Sequence, residues 1–163
     1  MKEIFCTSLG EDSHRVAPQE TKPLILGGIV FENPCFCLEA NSDGDVVLHA
    51  VTNAISGITG VNILGKIADT MCQNGITNSA AYLKKALEYM PETHEIHHVS
   101  ISIEALRPKF APHIDAMRHN IAALLGLDYS DVCIQATTGE GLTEFGKGNG
   151  IFVKVLMSFS KIK

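Results

Sequence analysis

Three side chains with metal-binding chemistry stand in two short segments of the first fifty residues. Asp12-Ser13-His14 places a carboxylate and an imidazole two residues apart, so on an extended strand both point to the same face. His49 follows the helix-start pattern Ser42-Asp43-Gly44-Asp45, which reads as a capping-box variant begun by Ser42. One carboxylate and two imidazoles are ligands of the types that hold zinc in catalytic sites, where the fourth position stays open.

Helical spacing separates His49 from the apolar side of its helix. The core stripe is predicted to be Val47, Val51, Ala54 and Ile58, and the polar side Asp45, His49, Thr52 and Ser56. His49 is therefore expected to lie outside the core, and an ordinary solvated helix face would also explain it. A zinc hydrolase built on Asp12, His14 and His49 would need a general base, which Asp45 can supply only if it does not cap the helix.

Four separated motifs carry a more specific signal. They are Asp12-Ser13-His14, residues 42–50, residues 107–114 and residues 136–140. In their order and spacing the chain resembles the 2-C-methyl-D-erythritol 2,4-cyclodiphosphate synthase family, essentially over its whole length. The resemblance implies one α/β (α+β) domain over residues 1–163, with one mixed sheet packed against helices. It also implies a homotrimer with active sites at subunit interfaces.

The resemblance further implies a reaction. The family's substrate is a cytidine diphosphate ester of methylerythritol that carries a second phosphate on its 2-hydroxyl. That phosphate attacks the β-phosphorus and CMP leaves, so the enzyme is a phosphorus–oxygen lyase of non-mevalonate isoprenoid biosynthesis. Because nucleophile, electrophile and leaving group belong to one molecule, the protein must fold the ligand in line and spread its negative charge.

The resemblance assigns roles to individual positions. Asp12, His14 and His49 match the zinc ligands, and Glu140 matches the carboxylate that holds Mg²⁺ or Mn²⁺ on the substrate diphosphate. Thr138 matches a transition-state stabiliser, and Asn41 stands where the family commonly has a phosphate-binding histidine. The expected substrate-binding residues are Ser42, Gly65, Asp69, Ala105, Pro108, Lys109, Ala111, Thr137, Gly139 and Lys147.

Some positions depart from the family pattern. Asn41 can donate a hydrogen bond but cannot carry the positive charge of a histidine, and Glu144 and Lys147 stand where Phe and Arg are usual. All four expected metal ligands are nevertheless present, which favours an active synthase of a divergent subtype. The alternative is a catalytically silent trimer that binds cytidine nucleotides or isoprenoid phosphates as a sensor.

Composition limits the other classes of function. The 163 residues include 13 Lys and Arg against 18 Asp and Glu, without a basic block, so nucleic-acid binding is not expected. The chain has no apolar run of about 18 residues and no secretory-signal pattern, so membrane association is not expected and a cytoplasmic location is. The five cysteines form no paired metal or disulfide pattern and are expected to be reduced and mostly buried.

Secondary-structure patterns must position these motifs. Apolar periodicity predicts five strands, at 3–9, 22–31, 95–106, 130–138 and 150–162. It predicts three helices, at 43–59, 78–90 and 111–125, with Asn78 capping the second and Pro112 and Gly126 bounding the third. Residues 67–77 are expected to form a lid or binding loop.

Two further motifs are interpreted as structural. Gly146-x-Gly148-x-Gly150 precedes a predicted strand rather than a helix, which indicates a tight turn and not a dinucleotide-binding loop. His94-x-x-His97-His98 follows Pro91 in a polar segment and is expected to be a solvated loop rather than a metal site.

Overall fold

A five-stranded mixed sheet packed against helices forms the body of the molecule in the computed structural model, which describes residues 1–163. The strands are β1 (Glu3–Ala17), β2 (Leu24–Leu26), β3 (Ile29–Phe31), β4 (Cys37–Leu38), β5 (His94–Glu104), β6 (Val132–Thr137) and β7 (Gly150–Ile162). The helices are α1 (Val46–Thr59), α2 (Lys66–Gln73), α3 (Ser79–Leu87) and α4 (Ile114–Leu125). Short 3₁₀ turns lie at Tyr129–Asp131 and Gly139–Gly141.

The sheet order is β4-β1-β7-β5-β6, and β2 and β3 form a separate hairpin. Only β5 and β6 run parallel, whereas the other neighbours in the sheet are antiparallel. Alternate apolar residues of the long strands are buried beneath the helices, including Val99, Ile101, Ile103, Val153, Val155 and Met157. The predicted α/β domain with one mixed sheet is confirmed.

Several predicted elements differ in extent from the observed ones. β1 continues to Ala17 because it pairs with β7 from Glu3 to Arg15 and then with β4, so Asp12 and His14 lie on an extended strand. The predicted strand at 22–31 is two strands, since Gly27 and Gly28 both have positive φ and turn the chain. Residues 66–73, expected to be mostly loop, form helix α2.

The predicted helix ends are confirmed where a specific cap marks them. Asn78 accepts a hydrogen bond from the Ala80 N–H, and Gly126 ends α4 in the left-handed conformation with φ 69°. α4 nevertheless begins at Ile114 rather than at 111, after a turn that contains Pro112. The glycine motif at 146–150 lies in a turn that leads directly into β7, as predicted.

Asp45, rather than Ser42, caps helix α1. Its carboxylate accepts four hydrogen bonds of 2.6 to 3.1 Å from backbone N–H groups, those of Gly27, Gly28, Val47 and Leu48. The predicted capping box at Ser42 is wrong because the helix begins at Val46. Burial raises the pKa of Asp45 to about 6, against the four N–H donors that favour the carboxylate. Asp45 thereby ties the β2–β3 turn to the start of α1.

Asp45→Ala will leave these four N–H groups without their acceptor, and three of the four lost hydrogen bonds, those from Gly27, Val47 and Leu48, are buried. We expect the free energy of unfolding to fall by about 3 kcal/mol, measured by urea unfolding. The matched control is Asp128→Ala, which removes the cap of an exposed 3₁₀ turn and is expected to cost much less. Equal losses in the two variants would show that burial of the Asp45 hydrogen bonds adds nothing to stability.

Strand β1 lies directly against helix α1 at Gly10. A Cβ atom at this position would overlap the backbone of Ala50 and Ala54. The Ser8 hydroxyl donates to the Ala54 carbonyl at 2.7 Å and holds the same contact. Because Asp12 and His14 follow Gly10 on the same face of the strand, this close approach brings both side chains to α1.

The expectation of a loop at the histidine segment is wrong, and the expectations for the cysteines are right only in part. His94, His97 and His98 lie on β5 rather than in a loop, and the His97 Nε2 is 2.8 Å from the Ser160 Oγ. The cysteines are free as expected, but the prediction that most are buried is wrong: Cys37 is buried, whereas Cys35 and Cys133 are exposed. None of the helices is both long and apolar enough to span a bilayer.

Candidate metal centre and active site

Asp12, His14 and His49 meet where β1 packs on α1. The His14 Nε2 and His49 Nδ1 are 3.0 Å apart, and the Asp12 Oδ2 lies 3.2 Å from the first and 3.1 Å from the second. A tetrahedral ion with bonds of about 2.0–2.1 Å holds its ligand atoms about 3.3 Å apart. The three atoms therefore already form one face of a tetrahedral site, as the sequence predicted.

Asp12 supplies the negative charge of this centre. Burial would raise the pKa of Asp12, but hydrogen bonds with His14 and His49 outweigh burial and hold the pKa well below its usual range. The carboxyl group is therefore ionised at neutral pH, which is the state in which it binds a cation.

Neighbouring acceptors set which nitrogen of each ring faces the centre. The His14 Nδ1 is 2.9 Å from the Glu39 carbonyl oxygen, which can only accept, so Nδ1 carries a proton, and Nε2 is the atom that offers a lone pair once a cation displaces the proton it shares with Asp12. The His49 Nε2 is 2.8 Å from the Ser79 Oγ, and its Nδ1 faces the cluster. Two neutral imidazoles and a carboxylate are a donor set that zinc takes in sites with an open position. The residues fit Zn²⁺.

His49 is buried, contrary to the expectation of a solvated helix face. Asp45, His49 and Thr52 from the predicted polar side have relative exposures of 0%, 6% and 0%. The reason is that β1 and α3 both pack against α1, so this side of the helix is covered. Since the Asp45 carboxylate is occupied by four N–H donors, it is not available as a general base, and the zinc-hydrolase interpretation loses its base.

A cavity of about 380 Å³ adjoins the metal centre. Its lining includes the three metal ligands and four predicted ligand-binding residues, Asn41, Ser42, Gly65 and Asp69. Helix α2 supplies one wall, so the predicted binding loop lies at the site but as a helix. The lining contains no Lys or Arg, and phosphate groups bound here would depend on the metal for positive charge.

The sequence interpretation missed three residues of this cavity that have polar side chains, Asn53, Cys72 and Tyr82. Asn53 stands one helical turn after His49, and its side-chain amide donates to the Glu11 carbonyl oxygen at 2.9 Å. The spacing of four residues from a predicted ligand could have identified it. Cys72 and Tyr82 carry no such signal, because their place in the cavity depends on how α2 and α3 pack.

A second cavity of about 450 Å³ lies at the ends of β5 and β6. The two strands are parallel, so the segments that follow them meet at one edge of the sheet. This cavity brings together six predicted residues, Ala105, Pro108, Lys109, Ala111, Thr137 and Thr138. No lining residue is shared between the two cavities, so within one chain the predicted site is in two halves.

Gly139, Glu140 and Lys147 lie outside the lining of both cavities. Glu140 is exposed on the 3₁₀ turn after Thr138 with a left-handed φ of 50°. It is not part of the Asp12–His14–His49 cluster, but Mg²⁺ needs only one or two protein carboxylates and keeps several waters. The Lys147 ammonium is 2.8 Å from the Glu144 carboxylate and faces no predicted ligand residue.

The fold and the metal centre define an α/β protein that presents a zinc-type ligand set beside a polar cavity, with a second cavity at the ends of its parallel strands. Residues 5–159 match the model of the YgbB family. The 2-C-methyl-D-erythritol 2,4-cyclodiphosphate synthase of Chlamydia muridarum is 50% identical over 151 residues, which cover 91% of this chain and 84% of that enzyme. The chain therefore belongs to the YgbB family, and the resemblance inferred from its motifs is confirmed.

Solved structures agree with this assignment. The bifunctional IspDF from Campylobacter jejuni superposes with a TM-score of 0.87 at 32% identity, and the match covers 99% of this chain and 44% of that longer protein. IspF from Plasmodium falciparum, in a CDP complex, superposes with a TM-score of 0.80 at 25% identity over 98% of this chain and 97% of its own. The fold is therefore shared along essentially the whole chain.

Proposed function

We propose that the protein converts 4-diphosphocytidyl-2-C-methyl-D-erythritol 2-phosphate to 2-C-methyl-D-erythritol 2,4-cyclodiphosphate and CMP. The observation that carries this proposal is the ligand triangle of Asp12, His14 and His49 beside a polar cavity, in a chain half identical to a synthase of that name. The enzyme class is a phosphorus–oxygen lyase of non-mevalonate isoprenoid biosynthesis.

The chain's own residues position the ligand and hold the groups that neutralise its negative charge. When bound, zinc at Asp12, His14 and His49 and Mg²⁺ or Mn²⁺ at Glu140 supply positive charge to phosphate oxygens. Asn41 and Ser42 line the first cavity and donate hydrogen bonds to phosphate.

In the second cavity the Thr138 hydroxyl stabilises the transferred phosphoryl group and Lys109 offsets its charge, whereas the loop at 105–111 holds the cytidine. Asp69 and Gly65 bind the methylerythritol part.

We propose a homotrimer whose active sites join the first cavity of one subunit to the second cavity of its neighbour. The separation of the predicted site into two cavities supports this arrangement. So does the sheet face opposite the helices, where Phe5, Leu9 and Leu156 are 71%, 54% and 50% exposed. Large apolar side chains grouped on one open sheet face are typical of an interface between chains.

The decisive experiment uses the purified chain with zinc and magnesium and the diphosphocytidyl substrate. Phosphorus NMR is expected to show a cyclic diphosphate, and CMP is expected to appear in equal amount. A metal-loaded protein that yields neither product would refute the synthase proposal. The controls are the same protein stripped of metal and the Asp12→Asn variant.

The second candidate is a silent trimer that binds cytidine nucleotides or isoprenoid phosphates. The uncharged Asn41 in a cavity without Lys or Arg favours it. Asn41→His separates the two functions: a large rise from near-zero turnover would favour the silent protein, whereas little change would favour a working subtype. Binding of CDP is measured in parallel, so that loss of the pocket is distinguished from loss of chemistry.

We propose a reducing compartment, the cytoplasm, as the location. Five free cysteines, two of them exposed, support this proposal because exposed thiols persist best where the glutathione pool keeps them reduced.

A further inference from the structure

A chain of hydrogen bonds leads from the metal centre into the protein. The His49 Nε2 is 2.8 Å from the Ser79 Oγ, and the Ser79 Oγ is in short contact with the Asp43 Oδ1. Ser79 is fully buried and His49 is 6% exposed, so the contact between them is shielded from water. Neither Ser79 nor Asp43 belongs to the Asp12–His14–His49 ligand set, and no role follows for either from the metal-ligand pattern.

The hydrogen bonds between His49, Ser79 and Asp43 run in one direction, from the imidazole as donor to the carboxylate as last acceptor. The Asp43 carboxylate can only accept a hydrogen bond, so the Ser79 hydroxyl donates its proton to it. The Ser79 oxygen is then free to accept from the Nε2–H of His49. A neutral imidazole with its proton on Nε2 has its lone pair on Nδ1, the atom that lies 3.1 Å from the Asp12 carboxylate.

Further hydrogen bonds fix the position of Asp43, the last acceptor in this series of hydrogen bonds. Its second carboxylate oxygen accepts from the Ser79 N–H at 2.9 Å, and its own N–H donates to the Thr77 carbonyl oxygen at 2.9 Å. Its first oxygen also accepts from the Asp45 N–H at 3.0 Å. These contacts join the segment before α1 to the start of α3, so the Ser79 hydroxyl has a fixed acceptor.

We propose that Ser79 and Asp43 are positioning residues that set the tautomer and ring orientation of His49 for metal binding. The inference rests on the metal site of the proposed function. Acceptors behind a metal-bound histidine raise metal affinity, and their loss typically costs about 10- to 100-fold. The His49 Nε2 has one other hydrogen-bond contact, with the Ser42 Oγ at a longer 3.4 Å.

The test measures zinc affinity without substrate, by competition with a chelator of known affinity. Ser79→Ala is expected to weaken zinc binding about 10- to 100-fold. The matched control is Ser160→Ala, which removes another buried hydroxyl that contacts a histidine, 2.8 Å from the His97 Nε2, and should leave zinc affinity unchanged. Equal affinity of Ser79→Ala and the wild type overturns the inference, as does an equal loss in Ser160→Ala.

A second measurement uses the wild-type protein, so it does not depend on whether a variant folds. In the zinc-loaded wild type, ¹⁵N NMR of the histidine rings is expected to show the His49 Nε2 protonated, with a proton that exchanges slowly with solvent. A protonated Nδ1, or a rapidly exchanging Nε2 proton, overturns the inference. If the wild type binds no zinc, the metal site of the proposed function fails as well. If the wild type binds zinc and only the Ser79→Ala result differs from the expectation, the positioning role of Ser79 and Asp43 is refuted and the metal site is not.

Discussion

Asp12→Asn is expected to remove zinc from the protein and to lower kcat/KM about a thousandfold, which corresponds to about 4 kcal/mol. The amide keeps the shape of the side chain but removes the charge that lies 3.1 and 3.2 Å from two imidazole nitrogens. Its NH₂ group would also face one of those nitrogens as a donor rather than an acceptor. Both changes oppose cation binding at the same point.

Zinc content after gel filtration and turnover of the diphosphocytidyl substrate measure the two effects separately. Asp128→Asn is the matched control, because it makes the same substitution at an exposed cap where Asn serves as well as Asp. It should retain wild-type zinc and turnover. An Asp12→Asn protein that turns over at the wild-type rate without zinc would refute the metal-dependent mechanism.

The metal centre was predictable from the sequence because its geometry is local. A strand puts Asp12 and His14 on one face whatever surrounds it, and the helix that begins at Val46, three residues before His49, fixes where that side chain emerges. What the sequence could not provide is the contact between the two elements. That contact depends on Gly10, where only a residue without a Cβ lets β1 lie against α1.

The predictions that failed depended on tertiary packing. The polar side of α1 has the pattern of a solvated face, yet α3, β1 and the β2–β3 turn cover it, so Asp45, His49 and Thr52 are buried. Helix α2 was missed because it is only eight residues long and Ala68 is its one buried residue, so its apolar pattern is short. Residues 24–31 contain no polar side chain, so only the paired glycines at 27 and 28 indicate the hairpin. Periodicity reports local amphipathicity and not which neighbour will cover a polar face.

Most of the predicted site residues line two separate cavities of one chain, and this division makes a quantitative prediction. His49→Gln disables the first cavity, and the double variant Lys109→Ala, Thr138→Ala disables the second. Each variant alone is expected to be nearly inactive. Refolded together in equal amounts, they are expected to recover about a quarter of the wild-type activity, because one interface in four joins two intact halves.

Mixed assembly must be verified before the activity is interpreted, and native mass spectrometry distinguishes mixed trimers by subunit mass. Mixing the two variants after each has folded is the control, and it should stay at the residual activity until subunits exchange. Sites contained within one chain cannot be repaired by a neighbour, since every chain then carries one defect. Mixed trimers without recovered activity would therefore refute interfacial active sites, and chains that remain monomeric while catalytically active would refute the trimer.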